Sequence, residues 1–340
     1  MERDRELYRS RRPAAWRLPA GLAGCALALG VAPAAAAAPA CAQPVLRAAE
    51  AGCESLASGG RERAYRLYVP AHPATGAALI VVLHGGGGTA AGMEALTERR
   101  FNRYADRAGA LVVYPEGIGR RWNDGRDDAG AGAVAADVDD VGFLRELVAT
   151  LATRFAVDHA RVGVTGMSNG GMMTLRLACD AGDVFHGFVA VAASLGTETA
   201  AQCTPPAGLR LALIDGTADP VVPWGGGEVK VFARHHGAVI GAERTFAQFS
   251  AAAGCRGEAA GPPLAATPDD GTRARARRAL RCAAGADVRL YEIDGGGHGW
   301  PGGLRYAREW LIGKVSRALD ATDVVADFLA AVPGSRPAAE

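Results

Sequence analysis

The sequence predicts an α/β protein: a mostly parallel central sheet with helices on both faces. Two observations carry this. Short apolar runs with no polar interruption recur along the chain, as strands buried on both faces require. Between several of them lie stretches with helical spacing, and that alternation is the pattern of a layered α/β domain.

The elements follow in order. Residues 63–69 (RAYRLYV) alternate and form a strand that Pro70 ends. Residues 78–83 (ALIVVL) form a buried strand that runs into His84 and four glycines. Residues 111–114 (LVVY) form another, ended by Pro115. Residues 141–155 carry helical spacing, with Asp139 or Asp140 as cap. Residues 162–165 form a short strand that meets Gly166-Met167-Ser168-Asn169-Gly170-Gly171, and the chain continues as helix over 172–179. Further buried strands fall at 188–192, 209–214 and 288–293, and the last helices lie within 318–329. There is no internal repeat and no long linker, so residues 41–332 read as one domain and 333–340 as a disordered tail.

Composition agrees with a folded domain. Of 340 residues, 49% are hydrophobic and 21% charged, which is globular and not disordered. Aromatics make up only 6%, so the core is mainly aliphatic. With 37 basic against 36 acidic side chains, nothing suggests a nucleic-acid partner or a generally basic membrane-binding surface.

Residues 1–17 are polar and basic, 18–32 are apolar, and PAAAAAPA follows. This is the pattern of a secretory signal peptide over residues 1–40, cleaved after Ala40, or alternatively after Ala38. The apolar stretch is too short for a transmembrane span. Leu22-Ala23-Gly24-Cys25 also fits a lipoprotein box, so a lipid anchor through Cys25 stands beside plain secretion. Six cysteines remain: Cys41, Cys53, Cys179, Cys203, Cys255 and Cys282. An even number suits an oxidising compartment, and chain order favours Cys41–Cys53, Cys179–Cys203 and Cys255–Cys282. Cys179 as a free buried thiol is the alternative. No CxxC, HExxH or P-loop pattern occurs, so no metal or cofactor is expected. His235-His236 lacks ligand spacing and reads as a surface pair. The Arg–Ala alternation at 273–281 reads as a solvated strand face.

The chemistry falls at strand ends. Gly166-Met167-Ser168-Asn169-Gly170 between a strand and a helix fits a nucleophile elbow, where small flanking residues allow the turn. Serine needs a base oriented by an acid. His298, in Gly295-Gly296-Gly297-His298-Gly299-Trp300, follows the 288–293 strand. Two acids follow the 209–214 strand: Asp215 at its end and Asp219 in the loop. Asp219 has the reach and is the expected acid, with Asp215 a turn or capping residue. The backbone N–H groups of Asn169 and Gly86 are the expected oxyanion donors. Gly85, Gly87 and Ala90, with Asp106 further on, also fit a dinucleotide-binding loop. The secretory leader and the Ser–Asp–His order weigh against it.

These segments resemble the polyhydroxybutyrate depolymerase-type and feruloyl esterase family of secreted α/β-hydrolases. The resemblance rests on Leu83-His84-Gly85, Tyr114-Pro115-Glu116-Gly117, Arg121-Trp122-Asn123, Asp139-Asp140-Val141-Gly142-Phe143, the Ser168 and His298 motifs, and Gly216-Thr217-Ala218-Asp219-Pro220-Val221-Val222-Pro223. It implies an α/β-hydrolase fold, a Ser168–His298–Asp219 triad and ester hydrolysis through an acyl-enzyme, and it supports Cys255–Cys282. Asp215 departs from the family pattern, which has His there. His84, Trp122, Asn123, Trp224 and Trp300 are the candidate pocket residues, with plain packing as the alternative for the three tryptophans. The chain ends soon after its last helix, without the binding domain common in enzymes that attack insoluble polyester. Soluble hydroxyalkanoate oligomers or feruloyl and acyl polysaccharide esters are therefore the expected substrates. A serine peptidase, an acyltransferase or a non-catalytic cell-surface protein on the same fold are the alternatives.

Overall fold

The computed structural model describes residues 51–127, 138–231, 234–264 and 270–330. The expected signal peptide, Cys25, Cys41 and the tail at 333–340 lie outside them.

In chain order the elements are β1 (Ala51–Ser58), β2 (Arg61–Tyr68), β3 (Leu79–Leu83), α1 (Ala90–Leu96), α2 (Arg100–Ala108), β4 (Leu111–Pro115), α3 (Asp140–Phe155), β5 (Val162–Met167), α4 (Asn169–Asp180), β6 (Gly187–Val191), α5 (Thr197–Gln202), β7 (Arg210–Gly216), β8 (Gly227–Val231), β9 (Arg234–Val239), α6 (Ala242–Ala252), β10 (Glu258–Pro263), β11 (Arg273–Ala279), β12 (Asp287–Asp294), α7 (Glu309–Ile312) and α8 (Ala321–Ala330). Ten strands form one sheet in the order β1-β2-β4-β3-β5-β6-β7-β12-β11-β10, and β8–β9 form a separate hairpin. The strands from β4 to β12 in that order pair in parallel. Antiparallel pairs finish both flanks.

The apolar runs of the sequence are the central strands. Every residue of β3, β4, β5, β6 and β7 is buried, because helices cover both sheet faces. One core layer holds Leu144, Leu147, Val148 and Leu151 of α3 against Leu79, Val81 and Val164. The other holds Phe101, Trp300 and Phe328 against Ile80, Val112 and Val189. Each such side chain contributes about 1.5–3 kcal/mol of transfer free energy. Asp139 caps α3 by accepting from Gly142 N, at 2.8 Å, which leaves Asp140 inside the first turn. There Asp140 meets Arg63 in a buried ion pair at 2.5 Å and accepts from Asn123 N at 2.7 Å.

Strand order also sets where a site can form. From β3 the chain crosses to β4 on one side and returns to β5 on the other. The carboxyl ends of β3 and β5 are thus the switch point where an open α/β sheet leaves a crevice. Leu83 is paired with Gly166 across that point, so the His84 loop and the Ser168 turn leave the sheet side by side.

Three sequence expectations are corrected here. His236 is buried at 5% exposure, with its carbonyl accepting from Arg126, and only His235 of that pair is a surface residue. Asp106 has no free role as a ribose ligand: both its carboxylate oxygens accept from Tyr68 Oη, at 2.7 and 2.8 Å. Cys179 is not a free thiol, since it is bonded to Cys203, and Cys255 is bonded to Cys282. Cys53 is also disulfide-bonded.

Candidate active site

Ser168 stands between β5 and α4 with φ 57° and ψ −122°, a region that a residue with a side chain occupies only under constraint. Its N–H donates to Val191 O at 2.9 Å, and its carbonyl accepts the first helical bond, from Met172 N. The turn leaves no room beside it. A Cβ on Gly166 would lie 2.4 Å from Gly170 O, and one on Gly170 would lie 2.5 Å from His84 O. That is the physical reason for glycine two residues either side of the serine. The half-buried hydroxyl sits at the positive end of α4.

The loops after β7 and β12 are stitched together. Thr217 N donates to Ile293 O, Ala218 N donates to Gly296 O, and Gly295 N donates to Thr217 Oγ1. This brings Asp219 Oδ2 to 2.7 Å from His298 Nδ1. The other oxygen, Oδ1, accepts from Val221 N and Val222 N at 2.7 and 2.8 Å, so the carboxylate is held at both ends. His298 is fixed by its backbone as well: its N–H donates to Ile312 O, and its carbonyl accepts from Tyr306 Oη at 3.2 Å. With Nδ1–H donating to Asp219, Nε2 is the free lone pair of the ring.

Asp215 takes a different place. Its Oδ1 accepts from Ala193 N at 2.8 Å, and its Oδ2 is buried with no partner. Burial pushes its carboxyl well above the ordinary range, and the nearby Asp219 charge pushes the same way.

Beside the serine, the glycine loop lies close. A Cβ on Gly85 would sit 3.5 Å from Ser168 Cβ, and one on Gly86 would sit 3.6 Å from Asn169 Cβ. Gly87 N and Gly88 N are committed to Arg120 O and Gly85 O. The Asn169 side chain is fixed by three hydrogen bonds: its Oδ1 accepts from Trp122 N, and its Nδ2 donates to Trp122 O and to Asp124 Oδ2. Asp124 is in turn held by Arg126, with both side chains nearly buried.

The chain is 35% identical over 283 residues to a protein named as an esterase, NocK, from Nocardia uniformis subsp. tsuyamanensis, covering 79% of this chain and 80% of that one. It belongs to that esterase family. The chain is also 29% identical over 196 residues to feruloyl esterase B of Piromyces equi, and 32% identical over 139 residues to the poly(3-hydroxybutyrate) depolymerase of Ralstonia pickettii. It spans 34% and 28% of those two longer proteins. Residues 104–203 match the prolyl oligopeptidase family. Acetyl xylan esterase from Aspergillus awamori shares the fold at a TM-score of 0.51 and 16% identity, over 73% of this chain and 94% of that one. The protein is therefore an esterase-type hydrolase of α/β-hydrolase fold.

In this esterase, most of the candidate pocket residues are structural. Trp300 is fully buried, donates from Nε1 to Thr322 Oγ1 at 3.0 Å and meets Phe101 edge-on, so it packs the core. Trp122 is buried and donates from Nε1 to His84 O at 2.8 Å. Asn123 is tied into the fold, with Nδ2 donating to Val138 O and its N–H donating to Asp140. His84 is 1% exposed, and its rings contact with Trp122 is 5.0 Å between centroids. Its Nε2 accepts from Gly117 N at 3.0 Å, so Nδ1–H donates to Gly85 O at 2.8 Å and the ring is neutral. Glu116 Oε2, at 3.6 Å from Nε2, therefore makes no true ion pair. Burial lowers the His84 pKa to about 4, which favours the same neutral ring. Of the five, Asn123 and Trp224 are half-buried, and Trp224 packs against the core cluster.

Two residues that position the site were not singled out from the sequence. Asp124 braces Asn169 from 45 residues away, and Tyr306 holds the His298 carbonyl. Neither has a local motif.

Proposed function

We propose that this esterase is a secreted enzyme that cleaves carboxylic esters with Ser168 as nucleophile, His298 as base and Asp219 as the acid that orients it. The observation that carries this reading is the buried Asp219–His298 contact, held by backbone bonds and placed on the same sheet edge as the strained Ser168 turn. His298 Nε2 takes the hydroxyl proton as Ser168 Oγ attacks the ester carbonyl. The Gly86 and Asn169 N–H groups hold the developing oxyanion. The alcohol leaves with the proton from His298, and water cleaves the acyl-enzyme by the same route.

The substrates we favour are soluble hydroxyalkanoate oligomers or feruloyl and acyl esters of polysaccharide. The names of the curated relatives support both branches. Secretion is supported by the disulfides, and among the described residues no helix is long and apolar enough to cross a membrane. The experiment compares wild type with Ser168→Ala on methyl ferulate and on a 3-hydroxybutyrate trimer, following acid release. Release by wild type alone supports the reading, and the preferred ester selects the branch. The match of residues 104–203 to the prolyl oligopeptidase family favours a peptidase as the second reading, so a chromogenic prolyl peptide belongs in the same assay.

A further inference from the structure

The segment that follows the His298 loop has more charge and more exposed aromatic surface than packing requires. Residues Leu304, Tyr306 and Trp310 are 48%, 52% and 74% exposed within seven positions, although large apolar side chains are normally covered. Tyr306 is held by its hydroxyl, on His298 O, so that its ring is the part left facing solvent. Beside them, Arg305, Lys314 and Arg317 surround a cavity of ≈ 320 Å³ together with Asp270 and Glu309. That volume lies in the range of small-ligand sites, about 300–1,000 Å³.

The two acids leave one positive charge in excess among the three cations. The Asp270 carboxylate is taken up by neutral donors: Thr272 N at 2.9 Å, Thr272 Oγ1 at 2.6 Å and the backbone N–H of Arg317 at 2.6 Å. Glu309 stands 3.6 Å from Arg305. Lys314 Nζ donates to a backbone carbonyl, Asp270 O, at 3.0 Å. Among the described residues, neither Lys314 nor the Arg317 guanidinium has a carboxylate within ion-pair distance. A half-buried ammonium and a guanidinium with open donors are what an incoming carboxylate satisfies.

One wall of the cavity is tied by backbone bonds to the histidine loop. Gly297 N donates to Lys314 O at 2.8 Å, and His298 N donates to Ile312 O, so the chain bearing the cations runs along the histidine loop. We propose that Arg305, Lys314 and Arg317, with Trp310 alongside, bind a carboxylate carried by the ester substrate away from its scissile bond. Inorganic phosphate alone would leave the aromatic surface unused, whereas an acid on an organic chain meets both. Two substrates supply that chemistry: the free terminal acid of a hydroxyalkanoate oligomer, or a uronic acid in an esterified polysaccharide. The inference rests on the esterase reading of Ser168.

The test uses two matched pairs. One is 3-hydroxybutyrate trimer as the free acid against its terminal amide. The other is a feruloylated galacturonate disaccharide against its neutral galactose counterpart. In one pair, wild type should favour the charged member about tenfold in kcat/KM, through KM. That pair identifies the source of the carboxylate. The preference should approach one in Lys314→Gln/Arg317→Gln, and also in wild type when salt rises from about 0.05 to about 0.5 M. The salt arm stands even if the double variant folds poorly. Trp310→Ala should raise KM for both members of the preferred pair. Absence of preference in both pairs, or a preference that survives the double substitution and the salt, overturns the subsite. Hydrolysis of p-nitrophenyl acetate by wild type and not by Ser168→Ala separates the two questions. If that control fails, the triad reading falls, and the substrate subsite falls with it.

Discussion

Asp219 Oδ2 and His298 Nδ1 meet at 2.7 Å, from 79 residues apart, with side chains only 2% and 4% exposed. The carboxylate cannot swing away, because its second oxygen is held by two backbone N–H groups. Asp219→Asn would keep those bonds through its carbonyl oxygen and turn an NH₂ toward Nδ1. The ring would then carry its proton on Nε2, where it cannot accept from serine. The expected result is a loss in kcat of about 10³–10⁴ with little change in KM or in the circular dichroism spectrum. A loss of less than about tenfold would mean that Asp219 does not orient the base.

His84 makes the fold acid-sensitive. Its pKa falls from 6.5 to about 4 because burial disfavours the charged ring. Below pH 6.5 the unfolded chain takes up a proton that the native chain refuses, so stability present above that pH is lost as pH falls toward 4. The full shift corresponds to about 3 kcal/mol. Denaturant midpoints measured at pH 7.5 and pH 5 should drop for wild type. His84→Gln should show a smaller drop. Equal drops would assign the acid sensitivity to other groups.

Asp215 acts in the opposite direction. Its folded-state pKa is raised, first by burial, while the unfolded chain releases that proton near pH 3.9. Its contribution to stability is therefore complete below that pH and declines as pH rises toward the folded value, by up to about 1.4 kcal/mol per pH unit. Asp215→Asn removes the titration while keeping the acceptor for Ala193 N. Between pH 5 and pH 8 the variant should gain stability relative to wild type. Parallel curves would contradict a neutral Asp215.

The Cys179–Cys203 disulfide joins the end of α4 to the end of α5 across 24 residues. Closing a loop of that length restricts the unfolded chain by about 3 kcal/mol. Cys179→Ala/Cys203→Ala should lower the denaturant-derived stability by about that amount. A loss below about 1 kcal/mol would mean that the unfolded chain is already restricted there.

What could be read from the sequence follows a physical divide. The buried strands were legible because a run such as 78–83 has no polar residue and fits only a strand covered on both sides. The Gly166–Gly170 turn was legible because its steric need is local. Burial decided by distant partners was not. Trp300 follows His298 closely in the chain, yet Phe101 and Thr322 draw it into the core. His236 looks like its exposed neighbour His235, but Arg126 and its surroundings bury it. Asp124, Tyr306 and the β8–β9 hairpin carry no motif or strong apolar run, and their roles come from contacts made only in the folded chain.

The most direct test of the account is covalent labelling at Ser168. Wild type incubated with a fluorophosphonate should gain one adduct mass, localise it to the peptide containing Ser168 and lose hydrolysis of methyl ferulate or of the 3-hydroxybutyrate trimer in proportion. Folded Ser168→Ala should take no label and release no acid. A label on another residue, or ester hydrolysis that persists in Ser168→Ala, would contradict the assignment of Ser168 as the nucleophile.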